Sequence, residues 1–177
     1  MARVRELMLL AVVACVLANV ATAFTTGSCI REAGQLVKVL DAQPKLYSAI
    51  SAELKKLVTA VQKGYDVSEF YDSTLLIPTN AALAAAKVDA TKIKNNEKLY
   101  RLHILDSQDD NLKTSVGMTP ATSLPGKKLR VFKAPAAPFK VALGVVGSTK
   151  PAALVLAHLH TGTGNCFEAY GIDRVLA

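Results

Sequence analysis

The sequence predicts an α+β domain, and three observations carry that prediction. Apolar residues recur at three- and four-residue steps in the first half of the chain. Apolar and polar residues alternate in the second half, and the change of period coincides with turns rich in Gly and Pro. Helices in front and strands behind form a segregated α+β pattern rather than alternating βαβ units. The 177 residues, 51% hydrophobic and 20% charged, fit one globular domain and exclude a disordered chain. No internal period supports a repeat array or a coiled coil. With no Trp and only 6% aromatics, a surface built on aromatic stacking with sugars or bases is disfavoured.

The elements follow in order. Arg3 and Arg5 open the chain, residues 7–18 are apolar and uncharged, and Ala21-Thr22-Ala23 supplies small residues at peptidase spacing. This is the form of a secretory signal spanning residues 1–23, cut before Phe24 and leaving 24–177 as a single domain. The alternative is a membrane anchor, but the apolar run is shorter than the ~20 residues that span a bilayer. No later segment is long enough, so the mature product is expected to have no membrane span. A short helix is expected over 32–40 and a longer one over 44–63. In the longer helix Leu46, Ile50, Leu54, Leu57, Val58 and Val61 form one apolar stripe, with Pro44 in the first turn and Gly64 at the end. Residues 74–77 form a buried strand stopped by Pro78, and Asn80 is placed to cap a helical turn over 81–87. Residues 99–105 are apolar and 106–111 form a solvated turn. Strands are then expected over 128–133, 139–143, 153–160 and 172–176. In the first of these, Leu129 and Val131 lie on the face opposite Lys128 and Arg130.

Charge and cysteine content narrow the class. Residues 24–110 balance eleven basic against eleven acidic side chains. Residues 111–177 carry eight basic side chains, with Glu168 and Asp173 as the only acids. No acid lies between Asp110 and Glu168. Outside the cell such asymmetry suits an anionic polysaccharide or surface rather than nucleic acid, the alternative being a solvated face that maintains solubility. Loss of the leader removes Cys15 and leaves Cys29 and Cys166, a pair expected to be bonded in an oxidising compartment. The alternative is two buried free thiols.

Residues 74–83, Thr-Leu-Leu-Ile-Pro-Thr-Asn-Ala-Ala-Leu, resemble the first signature of the fasciclin adhesion domain: a hydrophobic strand, Pro-Thr-Asn, and a short helix with an apolar fourth residue. Residues 40–61 resemble the family's opening helices, residues 102–105 its central tyrosine–histidine segment, and residues 171–176 the closing strand of its second signature. The order and spacing span nearly all of residues 24–177. The resemblance implies a wedge of short β-strands in two sheets with a layer of N-terminal helices. Pro78, Thr79, Asn80, His103, Ile172 and Asp173 carry the motifs, and His103 is implied to be a core histidine bonded to backbone. Two positions depart from the pattern. Leu102 stands at the usual tyrosine and Tyr170 at a frequent histidine. Animal members have been linked to integrin recognition through the tyrosine–histidine segment, so Leu102 argues against that activity here.

Catalytic motifs are not found. His158 and His160 are expected on one face of a strand, as a metal site needs, but no further ligand has convincing spacing, so neither a metal nor another cofactor is expected. No Gly-x-Ser-x-Gly elbow occurs. Residues 162–165 read as a turn, and Asp66, Glu69 and Asp72 as a solvated connection rather than a glycosidase pair. No Asn-x-Ser/Thr sequon occurs, whereas Pro135 and Pro138, each preceded by Ala, suit hydroxylation and O-glycosylation in a plant or algal secretory pathway. No apolar tail of the lipid-anchor type closes the sequence.

The expected function is therefore a non-enzymatic, secreted adhesion or matrix module of the extracellular matrix or cell wall. Lys127, Lys128, Arg130 and Lys133 are the candidate partner-binding residues, facing an anionic matrix polysaccharide. The alternative is a secreted carrier holding a small apolar ligand between sheet and helices.

Overall fold

The computed structural model describes residues 29–61, 72–89, 97–109, 111–162 and 166–177. The expected leader, Gly64, Asp66, Glu69 and residues 163–165 lie outside the described residues. Four helices and six strands are described: α1 (29–41), α2 (Pro44–Val61), β1 (Ser73–Pro78), α3 (Asn80–Ala85), α4 (Glu97–Arg101), β2 (Ile104–Leu105), β3 (Leu129–Lys133), β4 (Val141–Val145), β5 (Ala153–His160) and β6 (Phe167–Ile172). Among the described residues no helix is long and apolar enough to cross a membrane.

The strands join in one mixed sheet of order β2-β1-β6-β5-β4-β3, with β1 and β6 parallel and the other pairs antiparallel. The resemblance implies two sheets; here two halves meet at a narrow seam, where β4 and β5 pair only at Ala142–Leu154 and Leu143–Ala153. Residues 117–123 then link the two edges. Gly117 N–H donates to Val131 O, while Val131 N–H and Leu129 N–H donate to Met118 O and Pro120 O. Thr122 bridges to Leu105 of β2 and Ala121 to Lys128 beside β3. The sheet therefore curls back on itself, and this segment satisfies backbone groups that an open edge would expose.

Two apolar clusters occupy its two faces. Leu76, Leu105, Leu129, Val131, Leu143, Val155, Tyr170 and Ile172 fill the inside of the curl. On the opposite face of β1, β6 and β5, Leu75, Ile77, Leu159, Phe167 and Ala169 pack with Leu36, Leu40 and Tyr47 of α1 and α2. Cys29 and Cys166 are bonded to each other and belong to this second cluster, so the bond staples α1 to the start of β6 across 137 residues of sequence.

Several expectations need correction. The α2 stripe is centred on Tyr47, Ile50, Ser51 and Leu54, with Leu46 43% exposed, because the helix leans on Gly171. There a Cβ would lie 2.1 Å from Tyr47 Oη, so glycine alone admits the tyrosine. Thr79, not Asn80, caps α3: its Oγ1 accepts from Ala82 N at 3.1 Å. Asn80 instead reaches α2, where Nδ2 faces Pro44 O, Lys45 O and Ser48 Oγ and Oδ1 accepts from Ala49 N. The strand expected from Phe139 begins at Val141, because residues 134–140 are a turn in which Lys140 has φ of 61°. The closing strand is Phe167–Ile172 rather than 172–176, since only Ile172 and the residues before it lie alongside β1.

Candidate functional site

β3 and β4 form an antiparallel hairpin whose inward residues Leu129, Val131, Val141 and Leu143 are buried in the curl. The alternation that buries Leu129 and Val131 turns Lys128, Arg130 and Phe132 outward. Lys127 precedes the strand and Lys133 ends it, so by parity both belong to the other row, yet each is exposed. The four expected cations are thus neighbours on one hairpin without sharing one strand face. Lys140, in the turn between the strands, is a fifth exposed cation that the sequence reading did not single out. None of the five makes an ion pair with another described residue, because no acid lies near them in sequence or across the hairpin. Phe132 is also exposed here; the alternation that turned out Arg130 contained the signal for it.

The motif residues lie elsewhere and are structural in geometry. Pro78 ends β1 opposite Ile172, and Thr79 N–H donates to Ile172 O at 3.0 Å. Asp173 clasps β5: Oδ1 accepts from Leu154 N at 2.6 Å and Asp173 N–H donates to Leu154 O. His103 is buried beneath them. Leu176 N–H donates to Nε2 at 3.0 Å, which requires that nitrogen to be unprotonated, while Nδ1–H donates to Leu99 O at 2.8 Å. Burial holds this imidazole down to a pKa of about 4, against the smaller opposing effect of the Leu99 carbonyl. A neutral, doubly bonded histidine ties α4 to the chain end and has no free nitrogen for proton transfer.

His158 and His160 do not share a face. A β-bulge between them shifts the register by one residue, so His158 lies opposite Tyr170 and His160 opposite Ala169. His158 stacks on Tyr170 inside the curl, with ring centroids 4.3 Å apart, and its Nε2 meets Glu168 Oε2 at 2.6 Å. Gly162 N–H and Gln108 Nε2 complete the buried Glu168 carboxylate. On the helix side His160 Nε2 meets Glu32 Oε2 at 3.3 Å, close to the disulfide. The sequence reading missed both glutamate partners, one on the adjacent strand β6 and the other on α1, 128 residues away. Among the described residues no group of three or more His, Cys, Asp or Glu side chains is arranged to hold a metal ion.

No family model and no curated protein matches the chain. Among solved structures, it is similar to a FAS1 domain pair from the insect cell adhesion molecule Fasciclin I, with 15% identity and a TM-score of 0.47. The match covers 70% of this chain and 44% of that one, so the chain spans less than half the length of that neighbour.

Proposed function

We propose that the chain is a secreted, non-catalytic module of cell adhesion or extracellular-matrix organisation that binds anionic matrix polysaccharide through the β3–β4 hairpin. In this proposal residues 1–23 are the leader and 24–177 a single fasciclin-like domain, with its strands as a wedge and its N-terminal helices as a layer. The observation that carries the binding role is the charge of the hairpin: Lys127, Lys128, Arg130, Lys133 and Lys140 are exposed and without an acidic partner among the described residues. Uncompensated like charges on one short hairpin repel each other, and a polyanion relieves that repulsion. The motif residues support the fold of the module, since they clasp the ends of β1, β5 and β6 and none of them lies on the hairpin.

The test is retention of the disulfide-intact 24–177 chain on immobilised polygalacturonate and on neutral dextran, at low and at physiological salt. Retention on the polyanion should weaken with salt and be abolished when Lys127, Lys128, Arg130 and Lys133 are replaced by Gln. Unchanged retention of the quadruple variant, insensitive to salt, refutes the proposal.

A further inference from the structure

Phe132 is the one aromatic side chain left exposed among the described residues, at 39%. It belongs to neither core cluster. Its ring occupies the space that a side chain at residue 144 would take: a Cβ on Gly144 would lie 2.9 Å from Phe132 Cε2 and 3.6 Å from Cζ. Gly144 has no left-handed backbone that would require glycine, so what the missing side chain provides is a seat for the ring. Arg130 lies directly across from Gly144 and precedes Phe132 by two residues on the same face, about 7 Å along the strand. Lys128 continues the row, and Val146, 46% exposed, hydrogen-bonds through its N–H to Lys128 O. The hairpin therefore presents a seated aromatic ring, a guanidinium and an ammonium in one line.

The scarcity of aromatics disfavours an extended stacking surface but not a single seated ring, and we propose that Phe132 is a sugar-ring platform and that the polymer bound by the hairpin is an acidic pyranose chain of the uronate class. The inference rests on the polysaccharide role above and names its ligand. Cations alone recognise any polyanion, and an exposed ring alone recognises any apolar surface. A uronate residue offers both partners at once, an apolar C–H face for Phe132 and a carboxylate that Arg130 accommodates through two parallel N–H donors. Charge complementarity points the same way, since no acid on the hairpin competes for the guanidinium.

The experiment is calorimetric titration of the disulfide-intact chain with galacturonate oligosaccharides, and with polyglutamate of matched charge, at about 0.15 M salt, where charges beyond ~8 Å are screened. The variants are Phe132→Ala, Phe132→Tyr, Gly144→Ala and Arg130→Gln, each checked for an unchanged thermal melt. Phe132→Ala should weaken galacturonate binding about tenfold, and Gly144→Ala should do the same by pushing the ring off its seat while keeping every charge. Both should change polyglutamate binding less than twofold, because that polymer has no pyranose face. Phe132→Tyr should bind like the unaltered chain, and Arg130→Gln should weaken binding to both polymers. Intact galacturonate binding in Phe132→Ala and Gly144→Ala, with a loss in Arg130→Gln, overturns the platform and leaves the basic hairpin standing. Equal losses on both polymers also overturn it. An unaltered chain that binds neither polymer, even at low salt, refutes the platform and the polysaccharide role together.

Discussion

Lowering the pH through the range where a free histidine titrates should destabilise this fold through His103. In the unfolded chain its imidazole takes a proton near pH 6.5. In the fold it stays neutral down to about pH 4, because it is buried and because Leu176 N–H occupies the lone pair of Nε2. Between those values the unfolded state binds the extra proton. The contribution of His103 is thus fully present above pH 6.5, declines as pH falls, and is lost once pH passes through about 4. At 1.36 kcal/mol per unit, the decline amounts to about 3 kcal/mol. Urea unfolding followed by far-ultraviolet circular dichroism at a series of pH values from 7.5 to 4 measures it. The quantity that matters is the difference between the unaltered chain and His103→Gln, which isolates this imidazole from every other group. The variant should lose about 1–3 kcal/mol at neutral pH, from the mismatched hydrogen bonds, and should show a correspondingly flatter pH dependence. Parallel curves for the two proteins between pH 6.5 and 4 would falsify the assignment of a neutral, proton-excluding His103.

Gly171→Ala should cost about 3 kcal/mol, since the new methyl group meets the buried Tyr47 hydroxyl 2.1 Å away; adding Tyr47→Phe should recover part of the loss in the same unfolding assay, and no recovery refutes the contact. Asn80→Ala should cost about 1–2 kcal/mol by freeing the start of α2, and Thr79→Ala about 1 kcal/mol by uncapping α3. Native-state hydrogen exchange should then rise in α2 for the first and in α3 for the second. Replacing Cys29 and Cys166 by Ser should lower stability by up to about 5 kcal/mol, because the bond closes a loop spanning 137 residues; a midpoint of urea unfolding that does not move refutes the staple.

Elements with a strong local period were legible from the residues alone. The α2 helix, the Leu129 and Val131 alternation and the span of β5 follow from spacing, because burying one face of a helix or strand imposes that spacing. β6 was misplaced because Glu168 and Gly171 interrupt its apolar run. Glu168 is tolerated there by partners six to sixty residues away, and Gly171 is required by a tyrosine on α2. The α3 cap was misassigned between adjacent residues that both suit the role; the proximity of α2 decided it by claiming the Asn80 amide. The facing of His158 and His160 depended on a bulge, which changes side-chain parity without leaving a trace in the pattern of residues.

The sequence by itself determined the α+β class, the order of most elements and the alternation that turns Lys128 and Arg130 away from Leu129 and Val131, because each depends on neighbours within a few positions. Only the tertiary structure decided what those residues do to one another. It gathered Pro78, Thr79, Ile172 and Asp173 into a clasp, gave His103 its two backbone partners, and divided the two histidines of β5 between opposite faces. It also seated Phe132 over Gly144 beside Arg130. Hydrogen bonding, burial and close packing act between segments remote in the chain, and the curled sheet sets which of them meet.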